Sequence, residues 1–332
     1  VKTTFIEVTS QVSPKVPCRV FFKNEYEQPS GSFKLRGLGY LIEKSLEKAR
    51  ALGKAKVHVF SSSGGNAGLG AAFAAQFHGT PCTVVLPTTS KPIVIQKLES
   101  LNAQVVIAGN HWGEADAHLK DVIAQLDSET YPVYCHPFDD QLIWEGHGTL
   151  IEEIVESDLS QKELQSLKGV VCCVGGGGLF NGVIDGLTRC AERLSPEIAV
   201  LAVETIQAPT FTTAIAEGKV VHLASVPTLA TSLASPYISA QSLEHYNAQR
   251  FKITVEAIDD VEAIRGMVDY HAEFDRIVEP ACGASLSSVY NRVDLLEKAF
   301  GKLGKEDIIV VVVCGGSSTT PQSFKDFKKL LE

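Results

Sequence analysis

The sequence predicts an α/β protein of the doubly wound kind. Three observations carry that prediction. Short apolar runs rich in Val, Ile and Cys recur along the chain, amphipathic runs of helical period separate most of them, and three of the apolar runs end in Gly/Ser-rich turns that open toward helix-like segments. Unbroken apolar strands are buried on both faces, as in parallel sheets, and their alternation with helices builds doubly wound folds.

In chain order the expected strands are 18–26, 56–60 (KVHVF), 82–86 (CTVVL), 104–108 (QVVIA), 132–135 (PVYC), 169–174 (GVVCCV), 198–203 (IAVLAV) and 308–313 (IIVVVV). Ligands of such sheets bind beyond the carboxyl ends of the strands. The turns at those ends are therefore informative: SSSGGNAGLG at 61–70, GGGGLFNG at 175–182 and CGGSS at 314–318. A single glycine-rich turn is weak, because glycine is the usual turn residue. Three of them at strand ends point to one binding cleft.

The 332 residues are 45% hydrophobic, enough for a large core or two domains. The net charge of −9 and the lack of any long basic run argue against nucleic acid as a partner. The first residues, VKTTFIEVTS, contain no apolar leader-like run, and no segment approaches eighteen uninterrupted apolar residues. No membrane partner is expected, and a cytoplasmic location is, with a mitochondrial one kept open because the first residue is not Met. The eight cysteines (Cys18, Cys82, Cys135, Cys172, Cys173, Cys190, Cys282 and Cys314) contain no C-x-x-C pair and sit mostly in apolar runs, where cysteine behaves as a small hydrophobe. A reducing compartment fits. The nine histidines show no zinc spacing.

The stretch PSGSFKLRG, residues 29–37, places a lysine between Phe33 and Leu35 at the start of a helix-like run. Ser30 or Ser32 is suited to cap that helix. The macrodipole and apolar flanks both disfavour a positive charge at Lys34 and lower an amine pKa, so the position suits a nucleophilic amine that forms a Schiff base with an aldehyde. Gly175, Gly176, Gly177 and Gly178, with a helix behind them, suit an anion. A dinucleotide site is the rival reading. The run lacks the third glycine of G-x-G-x-x-G, where Phe180 and Asn181 stand, but Glu204 ends the next strand roughly where a ribose-binding acid would lie.

Together PSGSFKLRG, SSSGGNAG, VGGGGL and VCGGSS resemble the pyridoxal-phosphate-dependent serine/threonine dehydratases of the tryptophan-synthase-β-like fold. The resemblance spans nearly the whole chain. HPFDDQLIWEGH (136–147) and VEPACGASL (278–286) are similar to the catabolic L-serine dehydratase branch in particular. It implies fold type II: two open, twisted, mostly parallel sheets flanked by helices, with a large cofactor domain (1–37 and 139–332) and a smaller inserted domain (38–138). The cofactor would be pyridoxal 5'-phosphate, carried by Lys34 as a Schiff base, with Lys34 later acting as the base at the substrate Cα. Phe33 would pack on the pyridine ring and Asn66 would bond its 3-oxygen. Gly175 to Gly178 and Leu179 would bind the phosphate through backbone N–H groups, and Cys314 would sit opposite the ring nitrogen. Ser62, Ser63, Gly64, Asn66 and Ala67 would clasp the substrate carboxylate. Glu204, Ala208, Thr210, Leu233 and Ser235 match a monovalent-cation site, for potassium, and a homodimer is implied.

The implied reaction is β-elimination of water from L-serine and L-threonine, giving a 2-oxo acid and ammonia. Serine racemase and β-replacement synthases are the alternatives within the family, and a nucleotide-binding dehydrogenase is the remote one. Two departures stand out. Thr3-Thr4 replaces the usual Thr-Pro pair, and Gly64 stands where alanine or serine commonly precedes the Gly-Asn of the carboxylate loop. A bare glycine there is expected to widen the pocket and tune substrate choice. The chain ends soon after the last motif, so the regulatory domain of biosynthetic threonine dehydratases is not expected.

Overall fold

A computed structural model describes residues 1–332. Ten strands form in chain order: β1 (Phe5–Glu7), β2 (Arg19–Asn24), β3 (Lys56–Ser61), β4 (Cys82–Leu86), β5 (Gln104–Ile107), β6 (Thr130–Cys135), β7 (Leu167–Cys173), β8 (Ala199–Thr205), β9 (Lys252–Ile258) and β10 (Ile308–Val313). The chain divides into two compact units. One comprises Val1–Glu27 and His147–Glu332, the other Gln28–Gly146.

The larger unit holds a six-stranded sheet in the order β1-β2-β10-β7-β8-β9. All its neighbours pair in parallel except β1, which runs antiparallel to β2 with Phe5 opposite Lys23. Every residue of β10 is buried. The smaller unit holds a four-stranded, wholly parallel sheet in the order β5-β4-β3-β6. The expected α/β class with two mostly parallel sheets and flanking helices is the one observed, and each expected strand is present with small shifts at its ends.

Two strands escaped the sequence. β1 is three residues long, and β9 (KITVEAI) is largely half-buried at the sheet edge beside β8. A strand with one solvated side mixes charged and apolar residues, so it does not show the unbroken apolar run that marks the central strands.

The helix Lys34–Ala51 buries Leu35, Leu38, Leu41, Ile42, Ser45 and Ala49, a spacing of three and four that turns one face inward. That face joins Val59, Val84, Leu86, Leu98 and Ile143 in the core of the smaller unit. No helix is long and apolar enough to cross a membrane.

Candidate active site

In the smaller unit Lys34 is the first residue of its helix. Neither serine caps it, contrary to the expectation. Phe33 occupies the N-cap position in a helical conformation and offers no side-chain acceptor. The hydroxyls of Ser30 and Ser32 are instead buried without a hydrogen-bond partner. Gly31 takes φ 83°, which lets the chain reverse just ahead of the helix. The Lys34 Nζ lies 5.1 Å from the centroid of the Phe33 ring and donates to the carbonyl of Pro137 at 2.5 Å.

That carbonyl belongs to a turn organised by His136. Its Nδ1 accepts the backbone N–H groups of Phe138 at 3.2 Å and Asp139 at 2.8 Å. Burial pushes the imidazole down to about 4, so the ring is neutral at physiological pH and Nδ1 keeps its lone pair. In the sequence the motif HPFDDQLIWEGH is a resemblance only. Its physical content is this turn, together with Trp144 Nε1 donating to the Phe138 carbonyl at 2.7 Å.

β3 runs into Ser62, Ser63, Gly64 and Gly65, and the helix Asn66–Phe77 begins at once. Asn66 and Ala67 therefore occupy a helix start, where N–H groups have no intrahelical partner. The Ser62 hydroxyl donates to Asp116 Oδ1 at 2.7 Å. A Cβ on Gly64 would meet Val94 Cγ1 at 3.1 Å and Leu86 Cδ2 at 3.2 Å. A methyl at 64 thus presses on apolar packing, which corrects the idea that it would act by narrowing an open pocket. Gly68 is needed for a different reason. A Cβ there would fall 1.7 Å from the Ser63 carbonyl oxygen.

In the larger unit the run after β7 forms a tight turn into the helix Gly178–Arg189. Gly177 takes φ 91°. A Cβ on Gly177 would lie 2.2 Å from Ser242 Oγ, and one on Gly175 would lie 2.9 Å from Leu233 backbone. Thr210 Oγ1 donates to the Gly175 carbonyl at 2.8 Å, and Ser239 N donates to the Gly176 carbonyl at 3.0 Å. The carbonyls are thus tied down. The N–H groups at the helix start, Gly178 and Leu179 among them, keep the positive end of the helix dipole.

Cys314 follows β10 and is buried. Its Sγ lies 3.6 Å from Cys173 Sγ. Hydrogen bonds with the Cys173 and Cys282 thiols, then burial, hold its pKa well above the ordinary thiol value, so it is neutral.

Glu204 is fully buried. Its carboxylate accepts Phe211 N at 2.8 Å, Thr212 N at 2.9 Å and the Thr212 hydroxyl at 2.5 Å, capping the helix Thr210–Glu217. Burial pushes its carboxyl up, against the pull of those donors. An acid engaged in this way is not presented to a ribose, and the dinucleotide reading loses its one supporting residue. Thr210 and Leu233 contact Gly175 as described, Ala208 is buried, and the Ser235 hydroxyl donates to the Tyr237 carbonyl at 2.6 Å.

Within each unit the residues suit the cofactor that the motifs imply. The smaller unit offers a lysine at a helix start beside an aromatic ring and two buried hydroxyls without partners. The larger offers a side-chain-free turn at a helix N-terminus, an anion site in itself.

Known proteins bear on the same point. The profile of the pyridoxal-phosphate dependent enzymes matches residues 2–315. The chain is 42% identical over 322 residues to the catabolic L-serine/threonine dehydratase of Saccharomyces cerevisiae, covering 96% of this chain and 87% of that one. It is 36% identical to the serine dehydratase-like protein of Rattus norvegicus, covering 94% and 89%. Among solved structures a fungal L-serine ammonia-lyase from Rhizomucor miehei superposes with a TM-score of 0.85 at 27% identity, covering 100% and 99%. Maize serine racemase superposes with a TM-score of 0.81 at 22% identity, covering 100% and 93%, a likeness of fold alone. A lysine-bearing helix start, a glycine cradle and a profile match across most of the chain agree, and this chain belongs to the pyridoxal-phosphate dependent enzymes.

Proposed function

We propose that this chain is an L-serine/L-threonine ammonia-lyase, which removes water from the substrate and releases ammonia and pyruvate or 2-oxobutanoate. The single observation that carries the reading is its likeness to the yeast dehydratase over nearly the whole chain. Lys34, Phe33 and Asn66 would contribute to holding pyridoxal phosphate. Gly175, Gly176, Gly177, Gly178, Leu179 and Cys314 would do so as well, by the same resemblance. That cofactor, when bound, supplies a carbonyl that takes up the substrate amine and a ring that accepts electrons from Cα.

The protein's own residues do the rest. Lys34 Nζ anchors the cofactor and, once free, takes the proton from the substrate Cα. The Pro137 carbonyl gives the amine a fixed direction to donate in. The N–H groups at the start of the helix Asn66–Phe77, with Ser63 and Gly64 ahead of it, receive the α-carboxylate. Cys314 is a neutral thiol and brings no negative charge that would keep the ring nitrogen protonated. With the cofactor bound, that uncharged partner would favour loss of the β-hydroxyl over transamination. The aminoacrylate that leaves hydrolyses to the oxo acid and ammonia, so the water lost is regained.

Potassium is the cation we assign to Glu204, Ala208, Thr210, Leu233 and Ser235. Glu204 is the one acidic residue of that set, and activity in potassium against choline buffer tests the assignment. A cytoplasmic homodimer completes the proposal, on the family resemblance. The deciding experiment is oxo-acid production by the purified holoenzyme from L-serine, L-threonine and D-serine in parallel. Turnover of both L-amino acids is expected. Interconversion of L- and D-serine without oxo acid would favour a racemase instead.

A further inference from the structure

One carboxylate that no motif announces sits behind the SSSGGN loop. Asp116 lies on the helix Trp112–Ala124, on the stripe that also buries Ala115 and Leu119. It is 5% exposed. Oδ1 accepts the Ser62 hydroxyl and the Tyr134 hydroxyl, each at 2.7 Å, and Oδ2 pairs with Lys120 Nζ at 2.7 Å. The donors come from three places: the residue after β3, the strand β6 and Asp116's own helix. Burial raises the Asp116 carboxyl, but its bonds to Lys120, Tyr134 and Ser62 outweigh that and leave it below the usual aspartate range.

The loop needs such a support. Ser63, Gly64, Gly65 and Asn66 are half-buried or exposed, and the two glycines bring no side chains to hold the backbone. Downstream the segment is fixed by packing, because the Ser63 carbonyl rests in the space a Cβ on Gly68 would fill. Upstream the fixed point is Ser62, buried and bonded to Asp116. A glycine loop without anchors would be ordered only as the substrate arrives, and that ordering would be subtracted from affinity. Held at both ends, it presents its N–H groups already aimed.

We propose that Asp116 is a positioning residue for substrate binding: through Ser62 it fixes the 62–66 loop in the shape that receives the α-carboxylate of the amino acid. The proposal rests on the assignment of that loop to the substrate carboxylate. Asp116 does not touch the substrate. Its own negative charge is balanced by Lys120 and by the two hydroxyl donors, so it steadies the loop without repelling a second carboxylate from it.

The test uses holoenzymes carrying Asp116→Ala, Asp116→Asn, Ser62→Ala, the Asp116→Ala/Ser62→Ala pair, and Asn66→Ala as a marker for the loop itself. Four quantities are read: kcat and KM for L-serine, the cofactor dissociation constant by fluorescence titration, and the urea midpoint. Asp116→Ala is expected to raise KM roughly tenfold, the scale of one lost hydrogen bond to a charged group, with kcat within about threefold and cofactor affinity unchanged. Asp116→Asn retains an oxygen acceptor for Ser62 and Tyr134 and should return KM to within about threefold of wild type. The double variant should be no worse than Asp116→Ala, because both substitutions remove the same link.

A wild-type KM in Asp116→Ala, or additive effects in the pair, overturns the proposal. If Asp116→Ala does not fold, Ser62→Ala decides, and an unchanged KM there is equally fatal. Failure of the underlying reading looks different. Asn66→Ala, read at saturating cofactor because Asn66 is also assigned to the cofactor, would then leave the KM for serine untouched. Asn66→Ala impaired with Asp116→Ala normal would remove the proposal alone.

Discussion

Replacing Gly177 by alanine probes the turn that we propose carries the cofactor phosphate. The residue sits at φ 91°, in the left-handed half of backbone space, and its missing Cβ would fall 2.2 Å from Ser242 Oγ and 3.0 Å from Ile238 Cδ1. A left-handed conformation costs an L-residue about 1–2 kcal/mol. Ser242 cannot stay where it is. Its hydroxyl donates to Asn181 Oδ1 at 2.7 Å, and Asn181 in turn donates to Ser239 Oγ at 3.3 Å, all of them buried. Breaking that buried bond adds about 1–3 kcal/mol. The two terms together give about 2–5 kcal/mol, a fall in Tm of roughly 5–15 °C for a folded unit of this size. The same displacement tilts the N–H groups at the helix start, so cofactor affinity should fall on the order of tenfold, one direct hydrogen bond's worth. Thermal unfolding followed by circular dichroism, with and without added pyridoxal phosphate, reads the first quantity, and fluorescence titration the second. A Tm within about 1 °C of wild type with unchanged cofactor affinity would refute the claim that this turn requires glycine and carries the phosphate.

Three further outcomes are expected. Lys34→Ala should abolish turnover and the borohydride-fixed mass increment of the cofactor while leaving the circular dichroism spectrum intact; a variant that keeps activity and increment would sink the assignment. Gly64→Ala should change the threonine-to-serine ratio of kcat/KM by less than about threefold and stability by about 1 kcal/mol or less, because its methyl is met by the movable side chains of Val94 and Leu86; a tenfold change in ratio, measured on both substrates, would restore the pocket-narrowing view. His136 titrates near 4 in the folded chain, against about 6.5 unfolded, so the stability it contributes is full above pH 6.5 and is lost as pH falls toward 4. The urea-midpoint advantage of wild type over His136→Asn should therefore shrink across that interval, and an advantage constant with pH would contradict the buried neutral ring.

What was legible in the sequence was local. β10 could be read because it is apolar from end to end, β3, β4, β7 and β8 because each carries a cluster of Val, Leu, Ala, Cys or Phe, and the turns after β3, β7 and β10 because glycine and serine cluster at strand ends. Lys34 stood out for its place at a helix start. The parts that were not legible depend on partners far along the chain. Ser62 reads as one serine among three, and only the fold shows that its hydroxyl faces Asp116, fifty-four residues on. A signal existed, since an aspartate on the same stripe as Ala115 and Leu119 is an acid on an apolar face, but it names no partner. His136 and Pro137 were noticed as letters in a motif. That one holds the turn and the other offers its carbonyl to Lys34 is visible only in the geometry of β6 and the turn after it.

The contrast between two lysines shows where the limit lies. Lys23, in β2, is fully buried, deeper than Lys34, and the sequence around it, RVFFKNEYE, gives no hint of that. Its Nζ is clamped by Glu153 at 2.7 Å and Asp158 at 3.0 Å, with the Thr3 carbonyl as a third acceptor at 3.1 Å. Both carboxylates come from the end of the helix Gln141–Glu153 and the π-turn after it, more than a hundred residues downstream. Two negative partners compensate the burial of this side chain and fix it in place. Burial by itself therefore does not mark a lysine as chemical. A reactive amine has to come away from its partners, and a clamp of two carboxylates opposes that more than a helix N-terminus, whose dipole does not favour a cation. Lys34 occupies the first kind of site and Lys23 the second. The first kind is written in nine consecutive letters; the second needs the fold.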